Sequence, residues 1–292
     1  MKWEGNRESD NVEDMRGGGG GGGFGLGGGS LGIGSIVIAL VGSYFFGVSP
    51  MTILSMLSGG GGGLSAPGEQ RAPAGPPAND RNTKFVRVVL ADTEDVWSAV
   101  FKERGATYQP PTLQLFSGRT QTECGPGLSA SGPFYCPADR KVYIDLSFFK
   151  LMQERFNVSG EFAQAYVIAH EVGHHVQNLM GVSGKVQEAR RNSSESQANA
   201  MSVRLELQAD CFAGMWARRA NEARGIIESG DVEAAMAAAT AIGDDALQRQ
   251  SRGQVVPDSF THGTSAQRTR WFKTGLDSGK VESCNTFAAR QL

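Results

Sequence analysis

Two histidines and a glutamate stand close together in residues 166–176, which read YVIAHEVGHHV. His170 and His174 are four positions apart, so on a helix both side chains lie on one face and can reach a single metal ion. The preceding residues are largely apolar and contain neither Gly nor Pro, which predicts a buried helix. Neutral imidazoles at this spacing suit Zn²⁺, and the adjacent Glu171 is placed to take a proton from a metal-bound water. The pattern therefore predicts one catalytic zinc ion with Glu171 as the general base.

The alternative is a helix that carries two hydrogen-bonded core histidines and no metal. The chain has only four histidines, and three of them fall between His170 and His175. This concentration favours the metal site. His175 follows His174 directly and points roughly 100° away around the helix, so it is expected to pack or to form hydrogen bonds behind the site.

A catalytic zinc site needs a third protein ligand and an open fourth position. In the segment RLELQADCFAGM, Glu206 and Asp210 are again four positions apart on an apolar helical stretch. We predict that Glu206 ligates the metal. Asp210 is predicted to accept a hydrogen bond from the second nitrogen of a ligating histidine, which would fix the orientation of that ring. The main alternative is that Asp210 is the ligand.

The motifs HEVGHHVQ, ELQADCFAG and THGTSAQRTRWF together resemble the bacterial neutral zinc metallopeptidase family of membrane proteins. The resemblance covers nearly the whole chain. More distantly, the same motifs resemble the membrane-bound gluzincin proteases that include the CAAX prenyl proteases. The resemblance implies a zincin-like fold in which His170, His174 and Glu206 hold zinc and Glu171 is the base. It does not supply the physiological substrate; a peptide or protein substrate is expected because the chemistry of such a site suits amide hydrolysis.

The fourth histidine, His262, lies in the segment SFTHGTSAQRTR. A loop histidine delivered to the cleft would stabilise the oxyanion that forms during attack on a peptide carbonyl, and similarity to the gluzincins points the same way. The alternative is an exposed loop histidine before a helix capped by Thr264 or Ser265. The same similarity suggests that Arg268 or Arg270 orients a carboxylate, but we favour structural ion pairs for both.

The first third of the chain predicts a membrane location. Residues 1–30 are polar and then glycine-rich, which predicts a flexible cytoplasmic head. Residues 31–57 contain no charged residue and are long enough to cross a ~30 Å hydrocarbon core, so we predict one uncleaved transmembrane helix. A cleaved signal peptide is the alternative. Residues 58–82, rich in Gly, Pro, Ala and Ser, predict a disordered linker to a catalytic domain at residues 83–292.

The four cysteines indicate in which cellular compartment the catalytic domain lies. Cys124 and Cys136 bracket the loop CGPGLSASGPFYC, which is a natural disulfide-closed hairpin, and Cys211 and Cys284 remain for a second bridge. Four cysteines allow three connectivities, and four buried thiols are the alternative. An even count beside a membrane anchor favours an oxidising compartment. We therefore predict a single-pass protein of the bacterial inner membrane, with its catalytic domain periplasmic or extracellular.

Few strands and many helices predict an α+β domain that is mostly helical with a small sheet. The predicted helices cover about residues 93–104, 146–155, 161–180, 194–224, 231–247 and 264–273. The predicted strands are 113–116 and Lys141–Leu146, and the second is expected at a sheet edge, where it would pair with an extended peptide as in zincins. A net charge of −2 gives no basic surface for nucleic acid. The oligomeric state is left open.

These observations predict a membrane-anchored zinc endopeptidase in which Glu171 takes a proton from the attacking water and returns it to the leaving amine. The alternative is a zincin-fold binding or scaffolding module of the cell envelope with little or no peptidase activity. Glu171 favours the enzyme, because a purely structural metal site has no use for a carboxylate base beside a ligand.

Overall fold

The computed structural model describes residues 1–16 and 80–292. Its strands are β1 (Val12–Asp14), β2 (Thr112–Phe116), β3 (Arg119–Thr122), β4 (Gly125–Leu128), β5 (Phe134–Cys136) and β6 (Lys141–Asp145). Its helices are α1 (Arg81–Glu103), α2 (Ser147–Phe156), α3 (Glu161–Leu179), α4 (Val182–Arg191), α5 (Glu195–Arg224), α6 (Asp231–Ala241), α7 (Asp244–Arg252) and α8 (Ser265–Ser278). The prediction of a mostly helical α+β domain with small sheets is confirmed.

Four strands form one mixed sheet in the order β1-β2-β6-β5, and β3 pairs with β4 in a separate hairpin. Strands β1, β2 and β6 are parallel, and Val12, Leu113 and Val142 stand in register across them. All three side chains are buried, so this row faces the core. The prediction that the Lys141 strand lies at a sheet edge is wrong. Strand β6 is paired on both sides, by β2 along its whole length and by β5 at residues 141–143, so it lies inside the sheet.

The helices pack around large aromatic side chains that the sheet covers on one side. Trp97 of α1 contacts Phe212 of α5 edge to face, with ring centroids 5.3 Å apart. Phe162 of α3 stacks on Trp216 of α5 at 6.0 Å. All four are at most 1% exposed. The second pair joins α3 to α5, the two helices that carry the predicted metal ligands, and the first joins α1 to α5.

Helices α5 and α8 approach so closely that their backbones touch. A Cβ atom at Gly214 would lie 1.9 Å from the carbonyl oxygen of Phe272, and one at Gly275 would lie 1.9 Å from the carbonyl oxygen of Cys211. Glycine is thus the one residue type that fits either position without displacing a helix. Helix α8 begins at the N-cap Thr264, one of the two predicted caps, whose side chain accepts a hydrogen bond from the Gln267 backbone N–H.

The first 16 residues belong to the folded domain, which corrects the prediction of a flexible head for that part of residues 1–30; residues 17–30 lie outside the described residues. The indole N–H of the buried Trp3 donates to Glu161 at 2.8 Å, and the Met1 ammonium group lies 3.1 Å from a carboxylate oxygen of Asp231. Strand β1 then adds an edge to the sheet. The polar composition concealed a buried tryptophan and a three-residue strand, each of which buries apolar surface against the domain.

The remaining predictions for the N-terminal third, residues 17–79, lie outside the described residues, and these include the transmembrane helix at 31–57. In the described ranges 1–16 and 80–292, no helix is both long enough and apolar enough to cross a membrane.

Both predicted disulfides are confirmed. Cys124 and Cys136 close the loop that carries β4, and Cys211 and Cys284 tie the C-terminal segment to α5. The first bridge holds a loop against the candidate site, and the second anchors the helix that carries Glu206.

Candidate metal centre

Three side chains from two helices converge on one point. His170 and His174 come from α3 and Glu206 from α5, and one ligand atom of each lies within 4.8 Å of the other two. The His170 Nε2 atom is 3.2 Å from Glu206 Oε2, and the His174 Nε2 atom is 3.5 Å from Glu206 Oε1. Two imidazole nitrogens and one carboxylate form a typical donor set for a catalytic Zn²⁺ ion with an open fourth position.

The other nitrogen of each histidine is already engaged. The Nδ1 atom of His170 lies 2.8 Å from Asp210 Oδ1, and that of His174 lies 2.9 Å from Gln177 Oε1. Gln177 in turn donates to the carbonyl oxygen of Leu205 at 2.6 Å. Since both acceptors require a proton on Nδ1, each ring in its neutral form presents the lone pair of Nε2 to the shared point. The residues present therefore fit a zinc ion.

Asp210 lies behind His170, outside the three-residue cluster. Its Oδ1 accepts from the Tyr166 hydroxyl at 2.6 Å, and its two oxygens accept from Nη2 and Nε of Arg268 at 2.9 Å each. Asp210 is fully buried and Arg268 is 2% exposed. The structure thus places Asp210 against the Nδ1 atom of His170 and Arg268 against both carboxylate oxygens of Asp210. Arg270 points to the surface and contacts the Leu292 carbonyl.

Charge is concentrated around these histidines. Burial raises the pKa of Glu206, but His174 and His170 outweigh it and hold the pKa well below its usual range. Burial likewise raises the pKa of Asp210, yet Arg268 and His170 bring it to about 2. Burial lowers the pKa of His170, and Asp210 and Glu206 outweigh it to give a value of about 10. The partly exposed Glu206 and the fully buried Asp210 therefore both favour the ionised form, which attracts a cation to this point.

Glu171 is 7% exposed and lines the same cleft as the two histidines. Burial raises its pKa, while His170 and His174 act in the opposite direction. A carboxylate whose pKa is shifted toward neutrality is a better proton acceptor and donor near neutral pH than an exposed one.

His262 also faces this cleft, and a residue that the sequence interpretation missed holds it there. The Oδ2 atom of Asp244 accepts the backbone N–H groups of Thr261, His262 and Gly263 at 2.6–2.9 Å. Its Oδ1 atom lies 3.2 Å from His262 Nδ1, which leaves Nε2 for the cleft. Burial lowers the pKa of His262, but Asp244 outweighs burial and the net shift is upward.

The sequence Gly-Asp-Asp at residues 243–245 could have indicated Asp244, because acidic residues after a glycine favour the start of a helix. The single predicted helix 231–247 is in fact two helices, α6 and α7, which are separated at Gly243. A Cβ atom at Gly243 would lie 2.5 Å from the Ser265 backbone nitrogen. The helix is thus interrupted at the point where the chain touches the start of α8.

His175 lies behind the site, as its position on the helix predicts. Its Nε2–H donates to the Gln109 carbonyl oxygen at 2.7 Å, and its Nδ1 accepts from the Tyr135 hydroxyl at 3.0 Å. Burial lowers its pKa to about 4, so the ring is neutral at physiological pH. Through the hydrogen bond with Tyr135, His175 holds the loop closed by Cys124 and Cys136 against helix α3.

The cleft over the cluster has a volume of about 1010 Å³. This is at the upper end of the roughly 300–1,000 Å³ typical of small-molecule sites. One wall is the disulfide-closed loop, and another is α4. Much of the lining is apolar and comes from Phe134, Phe148, Val167, Leu205, Ile242 and Leu247. The cleft therefore suits a chain with apolar side chains rather than a small polar metabolite.

Comparison with known proteins identifies the family to which the chain belongs. The model of a family described as "Putative neutral zinc metallopeptidase" matches residues 1–287, and the chain belongs to that family. It is 51% identical over 292 residues to the uncharacterized protein YpfJ of Escherichia coli (strain K12), covering 98% of this chain and 99% of that protein. It is 42% identical over 219 residues to the uncharacterized protein Rv2575 of Mycobacterium tuberculosis, covering 72% of this chain and 73% of that protein. No solved structure matches the chain.

Proposed function

We propose that this protein is a zinc-dependent endopeptidase with a zincin-like catalytic domain. The observation that carries the proposal is the convergence of the two Nε2 atoms and the Glu206 carboxylate, with Glu171 on the wall of the same cleft. A metal site with a structural role alone would need neither the open cleft nor the buried carboxylate beside it.

The chemistry follows from where the residues stand. Zinc, when bound, supplies a Lewis acid that activates water and polarises a peptide carbonyl. Glu171 accepts the proton of the attacking water and delivers it to the leaving amine nitrogen. His262 donates a hydrogen bond from Nε2 to the developing oxyanion, with Asp244 holding the ring in place. Asp210 keeps the Nδ1 proton on His170, so that its Nε2 lone pair stays directed at the metal position.

The substrate we propose is an unfolded or extended polypeptide. The cleft is open to solvent and extends along the disulfide-closed loop. An extended substrate chain can therefore lie across the cleft with both of its ends outside. Its apolar lining favours bulky apolar side chains near the cleaved bond.

We further propose that the protein acts at a bacterial membrane, with the catalytic domain outside the cytoplasm. The two disulfides support an oxidising compartment. The uncharged residues 31–57 support insertion into a bilayer.

The test of the catalytic proposal compares Glu171→Gln with wild type. We expect one zinc ion per chain in both proteins, measured by elemental analysis, and loss of casein cleavage in the variant. Glu154→Gln is the matched control, since Glu154 is an exposed glutamate whose side chain lies 3.6 Å from Lys150. It should keep both zinc and activity. Undiminished cleavage by Glu171→Gln would refute the role of Glu171 as the base.

The ligand set has its own test. Glu206→Gln removes one of the three donors and should lower the zinc content well below one ion per chain. Asp210→Asn should weaken zinc binding by roughly 10–100-fold, because it removes an orienting partner rather than a ligand. If Glu206→Gln kept its zinc while Asp210→Asn lost it outright, Asp210 would be the third ligand.

A further inference from the structure

Helix α4 lines the cleft with a row of three polar side chains, Ser183, Gln187 and Arg190. Their spacing of four and then three residues places them within about 60° of one another around the helix. Val186 is the buried residue of α4 and lines the same cleft. Because its burial fixes the rotation of the helix, the polar row is directed into the cleft rather than away from the domain.

The side chains of this row are not used by the fold. In the described ranges 1–16 and 80–292, none of the three donates or accepts a hydrogen bond or forms an ion pair. Arg268 also lines the cleft, but its guanidinium is occupied by both carboxylate oxygens of Asp210. Among the cleft-lining residues that the structure describes, Arg190 is therefore the arginine whose charge is available to a ligand.

The end of a helix does not by itself account for the position of Arg190. A basic residue in the last turn stabilises a helix through its dipole, and Arg191 lies in the same turn. Arg191 points roughly 100° away from Arg190 around the helix and lies outside the cleft lining. Both arginines thus serve the helix, whereas Arg190 also presents its charge to the cleft.

The wall formed by the disulfide-closed loop carries the opposite charge. Glu123, next to Cys124, lines the cleft, and its exposed side chain forms no ion pair with any described residue. A ligand carboxylate is repelled from this wall and attracted to α4. The cleft is therefore electrostatically asymmetric across the path of a bound chain.

We infer that Arg190 forms a subsite for a carboxylate of the substrate polypeptide, beside which Ser183 and Gln187 bind the substrate backbone. The planar guanidinium can donate to both oxygens of a carboxylate, and the hydroxyl and amide groups can pair with peptide N–H and C=O groups. From Ser183 to Arg190 the row extends roughly 10 Å, the length of about three residues of an extended chain. The inference rests on the proposed function, because it names the substrate class of the same cleft: polypeptides with a carboxylate at a fixed distance from the cleaved bond.

The experiment measures peptide binding to the full-length, zinc-loaded Glu171→Gln variant, in which bound peptides should stay intact. The probes are fluorescein-labelled apolar peptides with both ends blocked, in which one Glu is moved from position to position. Matched peptides carry Gln at the same place. One further pair contains no Glu and differs only in a free or an amidated C-terminus, which separates a side-chain carboxylate from a terminal one. Fluorescence anisotropy gives the Kd of each peptide.

We expect Glu at one position or at two adjoining positions to bind about 3- to 10-fold more tightly than Gln, as for a partly exposed charge-assisted hydrogen bond. Adding Arg190→Gln should abolish this difference, and adding the matched control Arg191→Gln should preserve it. If the free C-terminus alone tightens binding, the subsite takes a terminal carboxylate. Equal Kd values throughout both series, a difference that survives Arg190→Gln, or failure of every peptide to bind would overturn the inference.

The outcome is distinguishable from that of the proposed peptidase activity. Both arginines are exposed, so each single variant should keep the zinc content and the Tm of wild type. Selective binding of Glu peptides by a protein whose wild type cleaves nothing would sustain the subsite and refute the activity. Cleavage of casein by a protein that binds Glu and Gln peptides equally would sustain the activity and refute the subsite.

Discussion

Arg268→Met tests the buried ion pair behind the metal site. Arg268 reaches both oxygens of Asp210 at 2.9 Å, and both residues are almost entirely shielded from water. Methionine fills a similar volume but leaves the Asp210 carboxylate with only His170 and Tyr166 as partners. Removing one member of a buried ion pair typically costs ~3–5 kcal/mol of folding free energy. For a domain of this size that corresponds to a fall in Tm of roughly 6–20 °C.

The assay is thermal unfolding of the metal-free protein, because bound zinc would add its own stabilisation. Arg270→Met is the matched control on the same helix, where the arginine is exposed, and it should cost less than about 0.5 kcal/mol. The double variant Asp210→Asn/Arg268→Met should cost less than the sum of the two single variants, since it removes both charges together. If Arg268→Met lowered Tm no more than the control does, the reasoning would be wrong.

The pH dependence of this pair has a definite sign. The folded-state pKa of Asp210, about 2, lies below its unfolded value of about 3.9. Its stabilising contribution is therefore fully present above about pH 4 and is lost as the pH falls toward 2. The difference in unfolding free energy between wild type and Arg268→Met should shrink over that interval, and a constant difference down to pH 2 would contradict the assignment.

Three further predictions concern the cleft and the helix packing. Asp244→Asn should lower kcat more than it raises KM and should move the pH profile of kcat, because it weakens the support of His262; an unchanged profile would leave Asp244 with a structural role alone. Cleavage of a peptide should decline as the pH falls through the raised pKa of Glu171, since the base must be ionised to accept a proton; constant kcat/KM through the acid range would exclude this base. Gly214→Ala should destabilise the protein by several kcal/mol because its Cβ would overlap the Phe272 carbonyl oxygen, and a Tm within 2 °C of wild type would show that α5 and α8 can separate at little cost.

Local spacing explains how much of the site could be predicted from the sequence. The i, i+4 pairs His170/His174 and Glu206/Asp210 follow from helix geometry alone. The structure brings both histidines of the first pair and Glu206 of the second to the same point. Gln177 was missed although it lies three positions from His174 on the same helix face. A glutamine carries no chemistry that singles it out until the position of the metal is known.

The N-terminal segment shows where composition misleads. Residues 1–16 are polar and precede a glycine tract, which is typical of a flexible tail. Their order depends on partners far away in sequence, such as Glu161 for Trp3 and Leu113 for Val12. Strand β6 lies inside the sheet for a different reason, because the short strand β5 from the disulfide-closed loop pairs with the edge that β2 leaves open.

The choice between Glu206 and Asp210 as ligand illustrates the same limit within the site. Both carboxylates lie on one face of α5, and helix geometry alone does not separate their roles. Helix α8 separates them, because it carries Arg268 to Asp210 and so neutralises the deeper carboxylate. That approach requires the backbone contact of α5 with α8 at Gly214 and Gly275. Two glycines outside the three-residue cluster thus help to set which carboxylate is left for a metal ion, so we expect their substitution to weaken zinc binding as well as stability.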